Sequence, residues 1–116
     1  MKSTNTKTEK EIENEILQYL DLRNGCTFWK INTVGVFDPV RKVYRKPKSK
    51  WNTKGVPDII GFFNGEFFAF EVKTYKTKNR TSDSQKAFIA AANTFKEQAF
   101  VVWDVEQVKD ILNGKR

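Results

Sequence analysis

Residues 55–73 read Gly55-Val-Pro-Asp-Ile-Ile-Gly-Phe-Phe-Asn-Gly-Glu-Phe-Phe-Ala-Phe-Glu-Val-Lys73. Asn64-Gly65 stands between two runs rich in β-branched and aromatic residues, and both positions of a type I′ turn need positive φ, which Asn and Gly tolerate. The stretch therefore predicts a β-hairpin. If Phe63 and Glu66 flank the two-residue turn, Asp58 falls opposite Glu71, and Lys73 shares their face by the two-residue strand period. Two like charges side by side among Phe62, Phe67 and Phe70 are costly unless a cation holds them. A divalent metal resolves that conflict.

The rest of the chain narrows the chemistry. Its 116 residues suffice for one domain with one core, and three Trp, three Tyr and ten Phe within a 39% hydrophobic composition argue for a packed globule. Twenty-one Lys and Arg against 14 acids leave a formal charge of +7, which favours a polyanionic partner such as nucleic acid. The single cysteine, Cys26, cannot form an internal disulfide and reads as a small packed thiol in a reducing compartment. No apolar run approaches the length of a membrane span and the N-terminus lacks a signal-peptide core, so the expectation is a cytoplasmic protein. There is no histidine. That removes Ser-His-Asp and Cys-His catalysis and His-containing zinc sites, leaving carboxylates, lysine and metal.

In chain order, residues 1–7 read as a frayed tail. Thr8 and Glu11 have capping-box spacing for a helix from Glu9 to Leu22. Ile12, Ile16, Tyr19 and Leu20 share one helical arc, and Glu9 and Glu13 lie within it while Glu11 and Glu15 point away. Cys26–Asn32 is a first strand, and Val34–Phe37 either extends it or starts a loop. Residues 38–54 read as a long loop carrying Arg41, Lys42, Arg45, Lys46, Lys48, Lys50 and Lys54, with Tyr44 and Trp51 interleaved. Cations mixed with aromatic rings suit phosphate contact and base stacking. A second basic loop brings Lys76, Lys78 and Arg80. Ser82 then caps a helix with Gln85 on its first turn and Ala87, Phe88, Ala91, Ala92 and Phe95 on its apolar side. Ala99–Trp103 is the last strand and 105–112 a closing helix. The order α-β-β-β-α-β-α, with a hairpin in the middle and a helical crossover, predicts an α/β fold with a mixed sheet flanked by helices.

Mg²⁺ or Mn²⁺ prefers oxygen ligands and keeps several waters, so Asp58, Glu71, a backbone carbonyl such as that of Val72 and a substrate phosphate make a plausible shell. Such a metal lowers the pKa of bound water and stabilises charge on a phosphodiester, and Lys73 on the same face can orient the water or neutralise charge.

Asp58, Glu71 and Lys73 spell Pro-Asp followed by Glu-x-Lys, and the chain resembles the PD-(D/E)xK nucleases. Gly55-Val-Pro-Asp58, Phe70-Glu71-Val-Lys73, Ser84-Gln85 opening a helix, and Phe100-Val-Val-Trp103 extend the resemblance to the VRR-NUC branch, over nearly the whole chain. It implies a restriction-endonuclease-like α-β-β-β-α-β core and a stand-alone nuclease of the kind found in phages. It also implies metal ligation by Asp58 and Glu71, a catalytic role for Lys73, and Gln85 as the added glutamine of the branch. An acid of the first helix would complete the site: Glu13, which follows Ile12 and precedes apolar residues three, four and seven positions on, or Glu9 in its place. The implied activity is Mg²⁺- or Mn²⁺-dependent cleavage of DNA, including branched, flap or junction forms as in DNA repair. A junction-resolving enzyme would have to be a homodimer. The loop before Gly55 is longer and more basic than the family pattern. The competing reading is a basic nucleic-acid-binding module that does not cut. The plainest one makes Asp58 and Lys73 an ordinary surface ion pair.

Overall fold

The computed structural model describes residues 6–31, 36–45 and 54–114. In chain order they form α1 (Glu9–Leu22), β1 (Cys26–Lys30), β2 (Val36–Asp38), β3 (Val43–Arg45), β4 (Ile59–Phe63), β5 (Glu66–Val72), α2 (Asp83–Ala92), β6 (Ala99–Val102) and α3 (Val105–Leu112). Asn64 and Gly65 take φ of 51° and 82°, and the hairpin they close pairs Phe63 with Glu66 and Ile59 with Phe70. One step further along this register places Asp58 opposite Glu71.

The hairpin is the centre of a four-stranded sheet ordered β1-β4-β5-β6. β1 pairs antiparallel with β4, and β6 pairs parallel with β5 after the α2 crossover. This is the predicted mixed α/β sheet flanked by helices, and it is compatible with an α-β-β-β-α-β core. α1 and α3 pack on one face, where Ile12, Ile16 and Leu20 meet Ile59, Phe68, Phe70 and Val72 from the sheet and Val108 from α3. Each of these buried side chains contributes roughly 1.5–3 kcal/mol of transfer free energy. α2 lies against β6 on the other side.

All three helices start on a reciprocal capping box: Thr8 with Glu11, Ser82 with Gln85, Asp104 with Gln107. In each, a side-chain oxygen at the cap and one three residues later satisfy backbone N–H groups that no helical carbonyl reaches.

Two expectations change. The stretch read as a loop from residue 38 contains part of a two-stranded ribbon, β2 with β3, pairing Val36 with Arg45 and Asp38 with Val43. The β-branched and aromatic pairs Val36-Phe37 and Val43-Tyr44, separated by an Asp-Pro turn, outweigh the surrounding positive charge. β1 spans Cys26–Lys30, one rung beyond which the Ile31 N–H still donates in register to the Asp58 carbonyl at 2.7 Å, and Asn32 lies outside the described residues. The apolar side of α2 is only partly covered. None of its residues is fully buried, and Phe95 beyond its end is 99% exposed. Among the described residues no helix is long and apolar enough to cross a membrane. The expected frayed tail lies outside the described residues, except for Thr6 and Lys7.

Candidate functional site

Asp58 is held where three strands end. Its carbonyl accepts from Ile31 after β1, and its Oδ2 accepts the Val72 N–H of β5 at 2.8 Å. The loop leading to it depends on Gly55, whose φ is +84° and where a Cβ would come within 2.6 Å of the Ser84 carbonyl oxygen. Only glycine combines that backbone angle with that approach. The Gly55-Val-Pro-Asp58 segment is thereby drawn against the first turn of α2.

Glu71 lies at the end of β5 on the sheet face that looks toward α2 and is 4% exposed. Gln85 Nε2 donates to its Oε1 at 2.6 Å, and the Lys73 ammonium sits 3.8 Å from the same oxygen. Oε2 is buried without a hydrogen-bond partner. Burial, then the neighbouring Asp58 charge, push the Glu71 carboxyl up to about 7, with Lys73 acting in the opposite direction. The Asp58 carboxyl is also raised, by burial first, while the Val72 N–H draws it back down.

Gln85 is oriented by its own helix cap. Its Oε1 accepts the Ser82 N–H at 2.9 Å and faces Lys73 Nζ at 3.5 Å, so Nε2 is the end presented to Glu71. The capping box that starts α2 therefore also sets the polarity of the amide in the site.

From the other side of the sheet α1 contributes two acids. Glu13 is 8% exposed and its Oε1 lies 2.9 Å from Lys30 Nζ, at the end of β1. Glu9 is exposed as a residue, yet partial burial of its carboxyl, followed by the charge of Asp58, raises its pKa. Asp58, Glu71, Lys73 and Gln85 are thus gathered by direct contacts and register. Glu13 and Glu9 both act electrostatically on Asp58 or are acted on by it. Lys30 is the residue the sequence reading missed. Its signal was a buried mid-helix acid, Glu13, that needed a counter-ion, and a lone cation at the end of an otherwise apolar strand face.

The donors available are oxygens, and the unpartnered Glu71 Oε2 beside Asp58 is a place a hard divalent cation would fit. Val72 has its N–H committed to Asp58, so its carbonyl is the group it would offer. Among the described residues no three acidic, cysteine or histidine side chains are gathered tightly enough to hold an ion by themselves. Two carboxylates completed by a carbonyl, water and phosphate suit Mg²⁺ better than an all-protein cage.

The predicted cations fall on several segments of the chain. Arg41 and Lys42 are exposed on the turn of the β2–β3 ribbon, Arg45 ends β3, and Lys54 is exposed next to Gly55. Lys76 and Arg80 are exposed on the loop after β5, whereas Lys78 places its ammonium 3.9 Å from the Tyr75 ring centroid and 4.9 Å from that of Trp103. Lys46, Lys48, Lys50 and Trp51 lie outside the described residues. No family model, curated protein or solved structure matches the chain.

Proposed function

We propose that this protein is a Mg²⁺- or Mn²⁺-dependent nuclease of the PD-(D/E)xK type, VRR-NUC branch, that hydrolyses DNA phosphodiester bonds, with branched, flap or junction DNA as its favoured class. The observation that supports this most is Glu71: a nearly buried carboxylate with one oxygen unpartnered, set against Asp58, Lys73 and Gln85. A buried acceptor left unpaired costs roughly 1–3 kcal/mol, and a site that binds an ion recovers that cost when loaded.

Asp58 and Glu71 would hold the ion, with the Val72 carbonyl and a phosphate oxygen beside them and Glu13 or Glu9 acting from α1. When bound, the metal supplies charge to the phosphate and an acidified water. Lys73 brings a fixed positive charge to the same place, able to donate to the attacking water or to a phosphate oxygen as negative charge builds. Gln85 keeps Glu71 in one rotamer, and Lys30 neutralises Glu13 until a substrate phosphate competes for its ammonium.

The test is cleavage of labelled duplex, flap and four-way-junction DNA with Mg²⁺, with Mn²⁺ and with chelator. Cutting that requires metal and disappears in Lys73→Ala and Asp58→Ala supports the proposal. Cutting that persists in chelator or in both variants overturns it, and salt-sensitive binding without any cutting makes the chain a non-catalytic binding module.

A further inference from the structure

The sheet face that carries Glu71 also carries an exposed aromatic cluster. Strand alternation sends Phe68, Phe70 and Ile59 into the core and sends Phe67, Phe62 and Trp29 to the opposite side. α2 lies against β6 and reaches β5 through Gln85. Over β1 and β4, Trp29 is 52% and Phe62 44% exposed. Trp29 and Phe62 meet edge to face, ring centroids 6.3 Å apart at 88°, and Phe62 meets Phe67 in the same manner at 6.1 Å and 70°. The solvent face of a sheet ordinarily takes polar residues, so adjoining exposed rings in this position mark a binding surface.

The register places this surface next to the candidate site. Trp29 pairs with Ile60, Ile60 with Ala69, and Ala69 is two residues before Glu71 on β5, about 7 Å along the strand. Lys30, next on β1, alternates to the opposite face, where its side chain pairs with Glu13 of α1. The same face carries Lys73 beside Glu71, and a chain of +7 formal charge that sets open rings on the face of a lysine and a candidate phosphodiester site suits stacking of bases while cations hold the backbone. In a duplex each base face is already covered by its neighbours. Only unpaired nucleotides have faces to offer.

We propose that Trp29 and Phe62 form a stacking platform for unpaired nucleobases lying next to the scissile phosphate. The proposal rests on the nuclease reading for the position of that phosphate, and it deepens that reading by making a single-stranded segment the part recognised on this face.

The experiment measures binding of a short labelled oligothymidylate and of a labelled duplex in chelator, where no cleavage intervenes. Wild type is compared with Trp29→Ala, Phe62→Ala and Trp29→Phe. Each alanine variant is expected to lose about 5- to 100-fold in affinity for the single strand, with duplex binding nearly unchanged and Trp29→Phe retaining most of it. About half of each side chain is exposed and the rest packs in the edge-to-face contacts, so the alanine variants should stay folded with a melting temperature only a few degrees lower. Unchanged single-strand affinity, or equal loss on both probes, overturns the platform. So does light scattering that shows a wild-type dimer broken by Trp29→Ala with DNA binding intact, because a second copy then covers this face. Platform-dependent binding without metal-dependent cutting defeats the nuclease reading alone, and cutting indifferent to Trp29 and Phe62 defeats the platform alone.

Discussion

Gln85 Nε2 donates to Glu71 Oε1 at 2.6 Å, tying the first turn of α2 to the end of β5. The same side chain closes the α2 capping box through Oε1. Gln85→Ala should therefore have two separable effects. Mn²⁺ affinity, measured by isothermal titration, should fall about 10- to 100-fold because Glu71 loses its orienting partner. Unfolding by denaturant should show a loss of about 1 kcal/mol from the broken cap. Ser82→Ala should reproduce most of the second effect and little of the first.

Lys73 carries positive charge 3.8 Å from Glu71, and its backbone is fixed by donation to the Val102 carbonyl. Lys73→Ala should lower kcat for DNA cleavage by about 10²- to 10³-fold with a much smaller change in KM. Single-turnover kinetics on the preferred substrate would show this, and an effect confined to KM would reassign Lys73 to substrate binding.

The raised carboxyls make stability depend on pH in a defined direction. An acid whose pKa is higher in the folded state stabilises the fold fully below its unfolded value and loses that contribution as pH rises through the folded value. Glu71, at about 7 against an ordinary 4.5, defines the window, and Glu9 and Asp58 add the same sign. The melting temperature of the metal-free protein should fall by several degrees across this range. Glu71→Gln should flatten the fall, and Mg²⁺ should raise the melting temperature more above the window than below it.

Lys30 and Glu13 form an ion pair whose acidic half is nearly buried while its basic half is largely exposed. Lys30→Met leaves Glu13 without its counter-ion and should destabilise by about 1 kcal/mol, less than a fully buried pair because water still reaches this side. Lys30→Met with Glu13→Gln should be more stable than Lys30→Met alone. A double-mutant cycle by denaturant unfolding measures the coupling.

Gly55 passes Ser84 at a distance no Cβ tolerates, with φ in the left-handed region. Gly55→Ala should destabilise by about 1–3 kcal/mol and displace Asp58 from α2. Thermal melting and the Mn²⁺ titration should both register it.

Local chemistry made much of this protein legible before folding. The Asn64-Gly65 turn and strand alternation set the hairpin register, and with it the opposition of Asp58 and Glu71. The capping boxes set the starts of α1 and α2 to the residue. Such features depend on neighbours within a few positions, where steric and hydrogen-bond rules act alone. The β2–β3 ribbon was obscured because a dense run of cations masks short β-branched pairs.

Position in sequence could not reveal what approaches from elsewhere in the chain. The amphipathic pattern of α1 identified Glu9 and Glu13 as misplaced acids but not Lys30 as the counter-ion of Glu13, since that pair joins a helix to a separate strand. The pattern of α2 identified its apolar side but not how far it is covered, and Phe95 is exposed, because the extent to which a helix is covered depends on what packs over it. The unpartnered Glu71 oxygen and the open rings of Trp29 and Phe62 likewise arise from which sheet face each helix covers. The sequence by itself determined the turn, the caps and the carboxylate register; tertiary packing alone decided which charges were buried, which were paired and which surface stayed open, because burial belongs to the whole assembly of elements.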